Sequence, residues 1–383
     1  MKRPLHWSAF AALCVASSAY AHPEDTVRLK LEYSVSHDSN YFRVANDAQA
    51  LVLLGSTDSS VTTYRAGAGV DADLKIGRQQ VALRSSFYQV DYDRVILKPA
   101  TELNLQVAWN WVLGNQLSGS LNYLIKQDLQ SQADVGSAEQ SKQKQSATGF
   151  SASYQAHPSF YLDFGLNEAT YVFSPDSRKV LDRTERVHSL GWRMPTRAGN
   201  YLGMQYRKTE GDYPNQAPAR PYEQTEYNLN GNWAPTGVSR IAWAVGQTRR
   251  VDGPSTQRTP TWSLSGNWAP LGKISFNANW SKSIGSSETA TVSTTTATDT
   301  AALGATWLAT SKLTLSGTLR SQNIKYGEAG RTDQIRGGGL TLGYQALRSA
   351  HATLSYDTEQ RNSTIGTADY RFDRWSAGLR AEF

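Results

Sequence analysis

Five histidines, His22, His37, His157, His188 and His351, are the side chains beyond residue 21 best suited to proton transfer or metal binding. A nucleophilic mechanism needs a hydroxyl or thiol within reach of such a base. Here the histidines are scattered. His22 and His37 flank the first candidate strand, His157 falls in a turn, and His188 and His351 lie on distant strands. No Ser sits in a Gly-x-Ser-x-Gly elbow, and no His, Cys or acidic residues recur at metal-ligand spacing. The sequence therefore predicts no catalytic residue, no cofactor and no metal site, and it does not read as an enzyme.

What remains is charge arranged by position. Arg28, Lys30, Arg84, Arg207, Arg320, Arg374 and Arg380 occupy the polar phase of alternating segments, with Glu32, Glu102 and Glu382 opposing them. Facing a water-filled lumen, these cations would favour anion entry. The competing reading is ion pairing along the wall that merely keeps the interior polar. A second cluster, Asp38, Asn40, Phe42 and Arg43, follows the first alternating segment. Asp and Asn bond nearby backbone in turns, so one reading is a structural corner. The other is gating, or contact with a saccharide or partner.

The elements that position these residues are strands. Val27, Leu29, Leu31, Tyr33 and Val35 alternate with Arg28, Lys30, Glu32, Ser34 and Ser36. Leu103, Leu105, Val107, Trp109 and Trp111 alternate in the same way, as do Ile274, Phe276, Ala278 and Trp280. Side chains two apart share a strand face, so each segment has one apolar and one polar face. The thirteen prolines are expected outside strand interiors. Pro158, Pro195, Pro235 and Pro270 fall in short turns, and Pro175, Pro214, Pro218 and Pro254 in longer loops. Pro99, Pro221 and Pro260 lie near strand starts, and Pro4 and Pro23 precede the strands.

Leu229-Asn-Gly-Asn-Trp-Ala-Pro-Thr-Gly237 recurs 35 residues later as Leu264-Ser-Gly-Asn-Trp-Ala-Pro-Leu-Gly272. Looser copies place Ile76, Trp111, Tyr154, Trp192, Trp233, Trp268, Trp307 and Tyr344 just before short turns, at spacings of 35, 43, 38, 41, 35, 39 and 37 residues. Each period holds two strands, a short turn and a longer loop, which excludes four-stranded propeller blades. Aromatic residues at seven of these eight places mark an interfacial belt rather than sugar-stacking platforms. Eight short turns with both termini on their side require nine loops on the other, hence eighteen strands. They are expected at 26–36, 60–75, 79–91, 101–112, 117–127, 146–156, 160–172, 184–194, 199–208, 222–233, 238–247, 260–269, 273–283, 298–308, 312–322, 333–345, 350–357 and 369–383.

The ends fix the compartment. Lys2 and Arg3, an apolar run from Ala9 to Val15 and Ala19-Tyr20-Ala21 predict a cleaved signal peptide at 1–21 and a mature barrel at 22–383. Cys14, the one cysteine, lies in that segment, so the mature chain is expected to lack disulfides. Loss of Lys2 and Arg3 lowers the net charge from +6 to +4, too mild for a nucleic-acid partner. Mean hydropathy is −0.50, because a barrel strand shows lipid only every second side chain. The last segment points Trp375, Ala377, Leu379, Ala381 and Phe383 one way. Trp375, Leu379 and Phe383 thus make an amphipathic terminal strand that resembles the signal read by the outer-membrane insertion machinery. The fold expected is an antiparallel up-and-down β-barrel in the outer membrane of a Gram-negative bacterium, in contact with outer-membrane lipid.

Tyr33-Ser-Val-Ser-His-Asp-Ser-Asn-Tyr-Phe-Arg43, with Tyr64-Arg-Ala-Gly-Ala-Gly69, Gly77-Arg-Gln-Gln80, Tyr88, Tyr92 and Leu97, resembles the EpsL-type barrels of exopolysaccharide operons, grouped among β-barrel porins. The likeness covers about the first quarter of the mature chain. Ser39 departs from it, standing where members usually carry a second acidic residue. The resemblance implies a conduit taking part in exopolysaccharide export or biosynthesis, with a secreted polysaccharide and periplasmic polysaccharide-export proteins as partners. An eighteen-strand barrel is wide enough for an aqueous lumen. Two other functions compete: a diffusion porin for small solutes, marked by a long loop folded into the lumen, and a structural or surface-binding barrel with a blocked lumen.

Overall fold

The alternation resolves into strands in the computed structural model, which describes residues 26–135, 138–196, 199–216, 221–287, 294–327 and 330–383. The expected signal peptide lies outside these residues. Eighteen strands follow one another: β1 (Val27–Asp38), β2 (Val61–Ile76), β3 (Gln79–Tyr92), β4 (Ala100–Leu113), β5 (Leu117–Leu129), β6 (Lys142–His157), β7 (Phe160–Ser174), β8 (Arg183–Pro195) and β9 (Tyr201–Asp212). The second half comprises β10 (Tyr222–Thr236), β11 (Ser239–Asp252), β12 (Ser255–Leu271), β13 (Ile274–Ser287), β14 (Thr294–Leu308), β15 (Leu313–Tyr326), β16 (Thr332–Leu347), β17 (Ala350–Ser363) and β18 (Tyr370–Glu382). Each pairs antiparallel with its chain neighbours, and β1 pairs with β18, so the sheet closes on itself. Closure removes the two edges an open sheet would offer to other chains. At the seam Leu29 and Phe383 exchange main-chain hydrogen bonds of 2.7 and 2.9 Å.

Leu29, Leu103, Leu229, Leu264, Leu303 and Leu340 are exposed on the outer face, where lipid replaces water. Ser, Asn, Thr, Arg and Glu of the alternate phase face the lumen. The pre-turn aromatics Tyr154, Trp233, Trp268, Trp307 and Tyr344 are exposed near the short turns. Trp111 departs from this belt. It is only 9% exposed, because its indole lies across Gly119 on β5, where a Cβ would stand 2.4 Å from the ring.

The strands overrun their expected limits at the loop end. β6 begins at Lys142, β11 runs to Asp252, β12 begins at Ser255 and β17 runs to Ser363. Pro254 therefore sits in a two-residue turn rather than a long loop. The expectation that prolines avoid strand interiors also needs correction. Pro235 and Pro270 lie where the register slips, between Trp233 and Thr236 and between Trp268 and Leu271. Pro260 is inside β12, and pairing of β12 to β13 stops two residues away, at Trp262 and Lys282. A residue without an N–H is tolerated where the strand has become an edge.

The loop 39–60 holds a helix, α1 (Asp47–Leu54), which the sequence reading did not anticipate. Its N-cap is Asn46, whose side chain accepts a hydrogen bond from Gln49 N, and Gly55 ends it in the left-handed conformation. The loop 130–141 holds a single turn, α2 (Gln132–Val135).

Candidate functional site: the lumen wall and its mouth

Most cations singled out in the sequence are engaged by acids on adjacent strands. Asp71 and Asp73 of β2 gather three of them. Arg84 Nη2 donates to both Asp73 oxygens at 2.8 and 2.7 Å. Arg28 lies 3.5 Å from Asp73 and 3.8 Å from Asp71, and Lys30 donates to Asp71. Arg380 bridges Glu382 and, at 3.5 Å, Glu32. Arg320 meets Glu359, and Arg374 is 3.7 Å from Asp357. Arg65, not singled out from sequence, pairs with Glu102 at 2.8 Å and stacks 3.3 Å from the centroid of Tyr88. Among the described residues Arg207 alone of the seven has no ion pair. The wall from β17 through β18 and β1 to β3 is close to neutral, so net basicity does not become a continuous basic track there.

At the mouth the residues 38–43 close on themselves. Arg43 Nη1 and Nη2 each donate to Asp38 at 2.8 Å. Asn40 N donates to Asp38 Oδ1, Asn40 Oδ1 accepts from Val44 N, and Asn40 Nδ2 donates to Val44 O and Arg371 O. Arg43 adopts φ 56°, a left-handed conformation unusual outside glycine, held by these bonds. Its guanidinium stacks 3.7 Å from the Phe372 centroid, on the lumen face of β18. Phe42, Val44, Ala50, Val61 and Leu97 form a small buried core around this corner, with Tyr41, Tyr92 and Ala138 against it. Burial pushes the Tyr41 hydroxyl pKa up. Thus the loop 39–60 folds inward. Its outer part is tied to the loop 93–99 by Arg94 and Asp58, and hydrogen bonds from Ser60 to Asp58 hold that carboxyl below its usual range.

The loop 130–141 crosses further. Arg361 Nη2, on the lumen face of β17, donates to Ala133 O at 3.4 Å. From β5 the ring runs β4, β3, β2, β1, β18 to β17, six steps of an eighteen-strand circle. Gln140 exchanges hydrogen bonds with the main chain of Lys98, at 2.9 and 3.0 Å, which ties this loop to the loop 93–99.

The opposite side also turns inward. Above Trp262 and Lys282, β13 leaves β12 but keeps β14. Arg250 Nη2 on the lumen face of β11 donates to Ser286 Oγ at 2.7 Å, and Thr295 Oγ1 donates to Asp252 at 3.1 Å. The ends of β13 and β14 therefore pass in front of β11. Between them and the wall is a polar niche of about 260 Å³, lined by Arg207, Glu226, Tyr222, Thr248, Arg250 and Lys282 among others. Its volume is that of about nine waters. Arg207 and Glu226 are register partners on β9 and β10, yet neither is ion-paired among the described residues. The sequence reading placed Arg207 in the polar phase but missed Arg250 and Tyr222, although both continue that phase at their strand ends.

A closed eighteen-strand antiparallel sheet, apolar outside and polar within, bounded by short turns at one end and inward-folded loops at the other, defines an outer-membrane β-barrel of porin architecture. Residues 244–383 match the protein family described as "Putative beta-barrel porin 2". Solved porins share the fold at low identity. A BenF-like porin from Pseudomonas fluorescens Pf-5 is 12% identical, with 94% of this chain and 99% of that one covered and a TM-score of 0.51. OccK2 (OpdF) of Pseudomonas aeruginosa, solved in complex with glucuronate, is 13% identical over 94% of this chain and 97% of that one, with a TM-score of 0.51. OccK9 (OpdG) of the same organism is 14% identical over 93% and 98%, with a TM-score of 0.50. No curated protein matches.

Proposed function

We propose that the chain is a passive diffusion channel for small polar solutes. The carrying observation is the pair of inward-folded loops, 39–60 on β18 and 130–141 reaching β17. Loops folded into the lumen narrow a barrel to a passage for small molecules, whereas a polymer conduit needs an unobstructed bore. The hydroxyls, amides and charges of the wall replace a solute's water hydrogen bonds without holding it tightly. No chemistry occurs in the barrel, and the solute's own gradient drives passage. Shortening the loop 130–141 should raise single-channel conductance in a planar bilayer and speed the swelling of liposomes in small sugars. Unchanged conductance in that variant would remove the support for this reading.

The likeness of residues 33–43 to EpsL-type barrels favours a second reading, exopolysaccharide export with periplasmic export proteins. Cell-surface carbohydrate in a deletion strain known to make polymer separates the two. The channel reading expects normal polymer and slower growth on a scarce nutrient. Polymer lost from the surface, and restored by a plasmid copy, would favour export.

A further inference from the structure

Two arginines stand side by side on the membrane-facing surface with no acid between them. On β11 and β12 the outward pairs are Val245 with Trp262, Gln247 with Pro260, and then Arg249 with Arg258. Both arginines are exposed, and neither has a hydrogen bond or ion pair among the described residues. Like charges placed directly across a ladder destabilise it. Among the described residues the nearest outward acids are occupied. Glu210 and Glu223 bind Lys208 at 2.8 and 3.2 Å. Further round the same face Lys325 and Arg336 are also exposed and without an acidic partner.

Their height has a meaning in a membrane. Trp268, near the short turns, and Arg258 are ten residues apart on β12. At about 3.3 Å per residue and a strand tilt of about 40°, Arg258 stands about 25 Å above Trp268, the full height of the apolar band. The arginines therefore meet the headgroups of the outer leaflet. Lower on the same face an apolar groove of about 940 Å³ starts at Trp268 and Gly266, near the short turns, and runs past Phe276, Leu303 and Leu319 to Leu340 and Gly338. Gly338 is two residues from Arg336 along β16, so the groove ends beneath a cation.

We propose that the outward face of β11–β16 binds a phosphorylated lipid of the outer leaflet, its phosphate between Arg249 and Arg258 and its acyl chains on the apolar face beneath, reaching toward the upper end of the groove at Gly338. Guanidinium groups match phosphate oxygens in paired hydrogen bonds, and an anion between two cations turns their repulsion into cohesion. This inference rests on the membrane location of the barrel and is independent of what crosses its lumen.

The test uses the full-length barrel, extracted in mild detergent and titrated in native mass spectrometry. The probes are bisphosphorylated lipid A, the same lipid stripped of its phosphates, and inorganic phosphate. The phosphorylated lipid should bind the wild type at least tenfold more tightly than it binds the Arg249→Gln, Arg258→Gln double variant. The stripped lipid should not distinguish them. A second variant, Arg258→Glu, should also lose the phosphorylated lipid while resisting thermal unfolding in detergent better than the wild type, because it faces Arg249 with an opposite charge. Heat-modifiable mobility confirms that each variant is folded. Equal affinity of wild type and double variant for the phosphorylated lipid, retention of lipid by Arg258→Glu, or inorganic phosphate binding as tightly as the lipid would each overturn the proposal.

Discussion

Two sides of one barrel handle charge in opposite ways. From β17 round to β3, cations and carboxylates interlock across neighbouring strands, and the loop 39–60 is stacked onto the wall through Arg43 and Phe372. From β9 to β13, Arg207 and Glu226 stand in register without pairing, and β13 separates from β12. The first side contains the place where the chain's two ends meet, and there an unpaired charge would weaken the closing ladder. The second side is continuous in sequence, each strand there being paired with its chain neighbours. It has room for unpaired charge and for a change of pairing, and the polar niche forms there. Paired and unpaired lumen charge are thus divided round the ring rather than along its axis.

The largest expected effect is at closure. Deleting Phe383 removes a main-chain bond pair with Leu29 and an apolar side chain of the terminal strand, and most heat-modifiable barrel should disappear from outer membranes. Normal amounts of folded barrel would show that the seam is less demanding than the rest of the ring. Next, Asp71→Ala strips Arg28, Lys30 and Arg84 of a shared partner and should lower stability by about 2 kcal/mol in urea unfolding from lipid vesicles. Asp299→Ala on the looser side, whose partner Lys282 is 3.8 Å away, should cost less than about 1 kcal/mol. Equal losses would erase the contrast.

Selectivity sharpens it further. Arg207→Gln removes an unpaired lumen charge and should move the reversal potential toward cation preference. Removing Arg374 and Asp357 together, as Gln and Asn, should leave it in place because the pair is neutral. The smallest effect concerns pH at the mouth. The Asp58 carboxyl has its pKa lowered in the folded state, so its tie to Ser60 and Arg94 is fully present above the ordinary carboxylate pKa of about 3.9 and weakens as pH falls below it. Hydrogen exchange of the loop 39–60 should be flat from neutral pH to about 4 after correction for intrinsic rates, and should rise below that. An upturn near pH 6 would point to a different group.

Strand number and phase were readable because lipid on one face and water on the other impose a period of two, as in Leu103 to Trp111. Strand ends at the loop side were not, since a ladder above the membrane no longer needs apolar residues. Lys282 and Ser286 of β13 carry no alternation, and Ser255 to Thr259 of β12 read as loop. Ion pairing along the wall was one of the two readings the sequence offered, but its partners Asp71 and Asp73 escaped for another reason. Lys30 and Asp71 are 41 residues apart in sequence, and only the register of β1 against β2 brings them together. Pro260 was a misleading cue, as Pro254 was: read as a strand start, it marks instead the place where β12 loses β13. The inward fold of 39–60 left a local trace in Asp38, Asn40 and Arg43, whose types favour a corner, while the partner rings of Tyr370 and Phe372 lie at the other end of the chain.

That meeting of ends makes closure the one ladder between β-strands that are not chain neighbours. Lys30 pairs with Glu382, so the final ladder joins segments separated by nearly the whole chain. Closing a loop of that size costs about 5 kcal/mol in chain entropy before any bond forms. Every other ladder is between neighbours in sequence and can form early as hairpins. Until β1 meets β18 the two strands each carry a bare edge, prone to pairing with other chains. A prematurely terminated chain keeps those edges indefinitely. It becomes an aggregation substrate rather than a narrower pore.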